Sequence, residues 1–311
     1  MLYSEKVNEL FSDQIIEWDL ARVNYSHLGK VKTRKLNFGS FDILVQFNPE
    51  RIRSTSAKVD AKSIEARQCF LCSKNRPSQQ RGISFEEDFT VLVNPFPIFK
   101  RHLTISAEMH TDQRILNNFC TILNLAKAIP DYLVFYNGPQ CGASAPDHLH
   151  FQAGNRGFLP IETDFISRKF TNLMSGRSGV EIWYWSGYSR GIVTLRGSVR
   201  ENLERIFNHF FEKFSAFQPD KPEPMINILA YFNPEGWVIH LIPRKLHRPT
   251  QFFKDGLKQI LISPASVDLG GVIITPREVD YNQISAFDIA DIFNQVCFNE
   301  NEITGFFNEL L

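Results

Sequence analysis

Two histidines two residues apart, followed by a glutamine, carry the first chemical signal in this chain: His148-Leu149-His150-Phe151-Gln152. On an extended strand alternate side chains share a face, so both imidazoles and the Gln152 amide are expected to line one surface. Three polar groups on one face make a poor core pattern, and a solvated sheet face is the bland alternative. Imidazole titrates close to neutrality, so an uncharged His150 ring is a competent nucleophile at pH 7. Just upstream, Asn137-Gly138-Pro139-Gln140-Cys141-Gly142-Ala143-Ser144 is a run of small and turn-forming residues. Such a run lets backbone amides approach a phosphate, with Asn137 and Ser144 adding side-chain donors; a plain turn-rich loop is the competing reading. Cys141 lies inside that loop, but nothing beside it in sequence would lower its pKa, so it reads as packing and not as a nucleophile.

Two further groups have chemical potential. Cys69-Phe70-Leu71-Cys72 has the ligand spacing of a zinc site, against the alternative of two incidental buried thiols. In the second half, Arg244, Lys245 and Arg248 cluster after the apolar run Trp237–Ile242. They could grip phosphates across a cleft, or form a solvated basic turn.

The elements that must position these groups follow from periodicity. Helical spacing runs from about Glu5 to Tyr25, and strands are expected at Val31–Leu36 and Phe41–Phe47 around Gly39-Ser40. Strands then fall at Phe89–Asn94 and His102–Ser106, a helix at Asp112–Ala128, and strands at Tyr132–Tyr136 and His148–Ala153. That order reads as an antiparallel α+β meander. The second half repeats it weakly: strands at Val180–Trp185 and Gly191–Leu195, a helix from Val199 to Phe214, then strands at Met225–Tyr231 and Trp237–Ile242. Aligning the halves puts Trp237–Pro243 where His148–Ala153 lies, which hints at duplication. A buried strand near Leu269–Ile274 and a helix near Ala286–Phe298 complete the chain. The expected division is 1–155, an N-terminal helical extension with a catalytic half, and 156–311, a degenerate binding half.

Composition narrows the class. The 311 residues carry 34 basic and 34 acidic side chains, so there is no basic excess of the kind that binds nucleic acid polymers. Five cysteines are an odd number in a chain too long to need a disulfide framework, and no run of about 18 apolar residues could span a bilayer. The first residues, Met1-Leu2-Tyr3-Ser4-Glu5-Lys6, contain no apolar leader segment, so a reducing cytoplasm is the expected compartment.

Taken together, Asn137, Gly142-Ala143-Ser144 and His148-Leu149-His150-Phe151-Gln152 resemble the transferase branch of the histidine-triad superfamily. That branch includes galactose-1-phosphate uridylyltransferase, diadenosine tetraphosphate phosphorylase and GDP-L-galactose phosphorylase. One departure is that Ser144 stands four residues before His148, where the branch usually has three. The resemblance implies two histidine-triad-like halves, with His150 attacking the α-phosphorus of a nucleoside-diphosphate sugar or dinucleoside polyphosphate. Hydrolase members carry a third histidine at the last position; Gln152 cannot exchange a proton there, so transfer to phosphate or a sugar phosphate is favoured over hydrolysis. The resemblance also implies a structural zinc held by Cys69, Cys72, His110 and His148, with His102 the competing ligand. Residues 263–278 resemble the C-terminal part of the phosphorylases, and a homodimer is common among such proteins. A zinc-stabilised nucleotide-binding protein without turnover and a nucleotide hydrolase are the alternatives.

Overall fold

Near the N-terminus of the computed structural model, which describes residues 1–177 and 179–308, β1 (Lys32–Asn37) and β2 (Asp42–Phe47) form an antiparallel hairpin over Gly39. The first half then builds β3 (Gly82–Phe85), β4 (Phe89–Val93) and β5 (His102–Ala107) as a meander. The helix Phe119–Ala128 follows, and β6 (Tyr132–Asn137) and β7 (His150–Asn155) close the spatial order β3-β4-β5-β7-β6. The second half lays down β8 (Thr171–Arg177), β9 (Val180–Trp185) and β10 (Val193–Gly197), the helix Arg200–Phe217, then β11 (Ile226–Asn233) and β12 (Gly236–Pro243). Its order, β8-β9-β10-β12-β11, is the first half's with every number raised by five. Antiparallel pairing of β6 with β11, Asn137 opposite Asn227 and Phe135 opposite Leu229, joins both into one ten-stranded sheet. The two halves thus share one α+β topology.

Strict alternation gives the sheet two buried faces. Val134 and Tyr136 of β6, with Ile226 and Ile228 of β11, face the two long helices, where Phe119 stacks on Phe207 with ring centroids 3.8 Å apart. Leu133, Phe135, Leu229 and Tyr231 face the other side, covered by the helix Ala286–Val296 and a three-stranded sheet. That small sheet comprises β1, β2 and β13 (Val272–Thr275), with β13 parallel to β2. Among the described residues no helix is long and apolar enough to cross a membrane.

Strands β3 and β8 have no counterpart in the periodicity reading, and three expected elements have other bounds. The expected helix from Glu5 to Tyr25 is two helices, Tyr3–Glu17 and Asp19–Leu28, because Trp18 takes an extended backbone and buries its ring. The helix expected from Asp112 begins at Phe119, since Asn117 is left-handed at φ 68° and Gln113 and Ile115 bond to neighbouring segments. Strand β7 begins at His150, so His148 lies just outside it.

Candidate functional site

On the second sheet face a cavity of about 730 Å³ opens beside the ends of β6 and β7. Asn137, Gly142, Ser144, His150 and Gln152 all line it. The walls are closed by Phe70 of the cysteine segment, by Arg51 and Ser54, and by Ser263, Ala265 and Asp268 from the far end of the chain. The His150 ring sits 2.8 Å from the His148 carbonyl through Nδ1. A carbonyl only accepts, so Nδ1 carries the proton and Nε2 keeps its lone pair. Among the described residues Nε2 has no protein partner, and burial pulls the ring's pKa down to about 4, leaving it neutral.

Sequence reading missed what holds this ring in place. Beyond the Phe135–Gln152 pair the β6–β7 ladder opens, and the buried side chain of Gln113 fills the gap. Its Nε2 donates to the carbonyls of Asn137 (3.0 Å) and His150 (2.9 Å), and its Oε1 accepts from the His150 amide at 2.8 Å. Gln113 thereby acts as a short length of strand. The Asn137 side-chain oxygen, Oδ1, is likewise committed, accepting from Ser266 N and Oγ and from Asn227 Nδ2 at 2.7–2.9 Å. Its amino group is left for the cavity. Gly142 has φ +93°, and a Cβ there would lie 2.6 Å from the Ala265 Cβ, so conformation and space both require glycine. Cys141 is sealed below, its thiol pushed up to about 12 by burial, as inert as its sequence surroundings suggested.

Cys69, Cys72, His110 and His148 converge, with their ligand atoms all within 4.8 Å of one another. A tetrahedral zinc bound at about 2.3 Å to sulfur and about 2.0–2.1 Å to nitrogen requires donor–donor edges of roughly 3.3–3.8 Å. Four of the six edges lie close to this: Cys69 Sγ to His148 Nδ1 3.3 Å, Cys72 Sγ to His110 Nδ1 3.2 Å, Cys72 Sγ to His148 Nδ1 3.6 Å, and 3.2 Å between the two Nδ1 atoms. Each imidazole is oriented from behind, as metal-binding histidines require. His148 Nε2 donates to the Ala107 carbonyl at 2.8 Å, and His110 Nε2 faces Asp147 at 3.7 Å. The competing ligand, His102, stays apart, in contact with Gln152.

The cations expected across the cleft are placed differently. Arg244 is fully buried, with its guanidinium bonded to Asn227 Oδ1 at 2.7 Å and to the carbonyls of Pro264, Val296, Leu246 and His247. Lys245 pairs with Glu302, and Arg248 spans Ser263 and the Ala57 carbonyl at the rim. None of the three lines the cavity: backbone carbonyls near the end of β12 and the last helices draw Arg244 inward, and the other two are held by the partners just named. Arg51, Lys58 and Arg67 line it instead, from a polar stretch whose sequence carries no motif. Arg51 donates through one nitrogen to the Phe96 carbonyl at 2.9 Å, and its other nitrogens have no partner among the described residues. Burial lowers its pKa only to about 10, so it remains a cation.

Arg244 nonetheless reaches the site through Asn227 and Asn137. Arg244→Met is expected to cost roughly 3–5 kcal/mol of stability by stranding five acceptors, three of them in fully buried bonds. Urea unfolding measures this, and an unchanged midpoint would contradict it.

In the second half the place of Gln152 is taken by His240. Gln152 lies between Thr104 and Phe135; His240 lies between Thr194 and Leu229. Its Nδ1 shares a hydrogen bond with Thr194 Oγ1 at 2.7 Å, and the rings of Phe165, Trp185 and Tyr231 fill the space before it. The second half therefore offers structure, not a second reactive pair.

Known proteins share this fold. Residues 10–155 match a family described as a domain of unknown function (DUF4922), and residues 166–308 match the GDPGP1-like C-terminal domain. No curated protein matches the sequence. Among solved structures, yeast Ap4A phosphorylase Apa2 in complex with Ap4A superposes with a TM-score of 0.63 at 15% identity, over 94% of this chain and 97% of that one. The same enzyme in complex with AMP gives 0.62 at 16% identity, over 95% and 96%. The chain thus has the fold seen in yeast Ap4A phosphorylase Apa2, with an N-terminal half that matches DUF4922 and a C-terminal half that matches the GDPGP1-like C-terminal domain.

Proposed function

We propose that the protein is a nucleotidyltransferase or phosphorylase that carries the nucleotidyl group of a nucleoside-diphosphate sugar or a dinucleoside polyphosphate on Nε2 of His150. The observation that carries this reading is the Nδ1–H bond to the His148 carbonyl, which leaves Nε2 as a free lone pair in a cavity walled by Asn137, Ser144 and Gln152. In the first step Nε2 attacks the α-phosphorus, a P–N bond forms, the P–O bond to the leaving group breaks, and sugar phosphate or nucleoside triphosphate departs. In the second, an oxygen of inorganic phosphate attacks the same phosphorus, the P–N bond breaks, and a nucleoside diphosphate leaves. The amino groups of Asn137 and Gln152, the Ser144 hydroxyl and the Gly142 amide suit the nonbridging oxygens of both steps. The binding of AMP and Ap4A by yeast Apa2 supports a nucleotide substrate.

Zinc is the metal best suited to two thiolates and two imidazoles, and when bound it would lock the His148 backbone that orients His150. The catalytic half is assigned to residues 1–155; residues 156–311 complete the cavity through Ser263–Asp268. The test is a screen of dinucleoside polyphosphates and nucleotide sugars with and without inorganic phosphate. Phosphate-dependent release of nucleoside diphosphate is expected; release of monophosphate without phosphate would defeat the reading in favour of a hydrolase.

Arg51 is assigned to the polyphosphate or acceptor phosphate. Arg51→Ala should raise KM for the anionic partner roughly 10- to 100-fold with little change in melting temperature. Steady-state kinetics with varied phosphate and nucleotide would refute this if neither KM moved.

A further inference from the structure

We infer that His102 is a positioning residue that holds the Gln152 side chain in the one amide orientation able to donate to a substrate phosphoryl oxygen; the inference rests on reading the cavity as a nucleotide site. His102 opens β5 with no exposed surface, its ring enclosed by Phe99 and Phe135 at centroid distances of 5.3 and 6.0 Å. The Ile98 amide donates to His102 Nδ1 at 3.2 Å. A backbone N–H can only donate, so Nδ1 is the acceptor and the ring proton resides on Nε2. That Nε2–H meets Gln152 Oε1 at 3.0 Å.

A carboxamide has two nearly isosteric orientations with opposite chemistry. With Oε1 committed to His102, the Gln152 amino group has no protein partner among the described residues and belongs to the cavity. Flipped, it would set donor against donor at His102 and turn a carbonyl dipole toward an anion. Changing the tautomer would strand the buried Ile98 amide. The donor character of Gln152 is therefore set by the fixed Ile98 amide, relayed through one imidazole.

The experiment combines spectroscopy of the intact protein with a double-mutant cycle. In ¹⁵N-histidine-labelled wild type, the His102 ring should show the Nε2–H tautomer, and that proton's resonance should move in Gln152→Ala. For turnover, His102→Leu should lower kcat roughly 10- to 100-fold with KM changed little, and His102→Gln, which restores a donor, should recover most of the loss. In the Gln152→Ala background, His102→Leu should add less than about twofold. A proton on Nδ1, or full additivity of the two losses, overturns the proposal. A wild type that neither binds nor turns over any nucleotide sinks the functional reading instead, and the tautomer measurement still decides the pairing.

Discussion

His150→Ala is expected to abolish the phosphate-dependent reaction, lowering kcat by roughly ten-thousandfold or more, and to abolish an acid-labile nucleotidyl adduct with it. The size follows from the role. A covalent nucleophile splits one displacement into two, and its removal leaves only binding and electrostatic assistance from the surrounding donors. No other group in the cavity takes over. Cys141 is sealed and protonated, and His102 has both ring nitrogens engaged. The folded state should survive, because the backbone of residue 150 is held by Gln113, which does not touch the ring. Intact-mass analysis after rapid acid-free quenching detects the adduct, and thermal melting checks the fold. An adduct that persists in the variant would move the chemistry to another residue.

The second large effect concerns the metal. The protein is expected to contain about one zinc per chain, and Cys72→Ser or chelation should lower the melting temperature by on the order of 10 °C. Activity should fall by a hundredfold or more. The reason lies in how many parts meet there. The Cys69–Cys72 segment presents Phe70 and Leu71 to the cavity, and His148 supplies the carbonyl that sets the His150 tautomer. Asp147, facing His110, also pairs with Arg67 at 2.5 Å, and Arg67 lines the same cavity. Without the ion, two thiols and two imidazoles crowded within 4.8 Å lose the charge that makes their proximity favourable. Elemental analysis and differential scanning calorimetry of native and metal-stripped samples provide the check. Equal melting temperatures with and without metal would remove the structural role.

These effects were legible to different degrees in the chain alone. The His150–Gln152 pair was readable because a strand's period of two is local, and the Cys-x-x-Cys spacing because one knuckle supplies both thiols. The basic run at 244–248 misled for an equally physical reason: charge in sequence does not reveal whether stranded carbonyls wait nearby, and around Arg244 they do. Arg51 and Gln113 gave no sequence signal, and His102 gave only that of a competing zinc ligand, since each matters through a partner more than 30 residues away: Phe96, His150 and Gln152 in turn. The break at Trp18 and the late start of the Phe119 helix belong to the same class: burial of the Trp18 ring in one case, and tertiary hydrogen bonds of Gln113 and Ile115 in the other, override local helical spacing.

What the amino-acid order determined by itself was the alternation of strands and helices, the repeated order of the two halves and the residue types able to do chemistry, all consequences of short-range stereochemistry and burial. Tertiary structure alone decided the assembly. Pairing of β6 with β11 made two meanders one sheet, and the return of residues 263–275 across that sheet built the cavity's far wall. Convergence of Ile98, His102 and Gln152 then set which end of an amide faces the substrate. Hydrogen-bond direction depends on which donor meets which acceptor in space, and that is information no spacing along a chain contains.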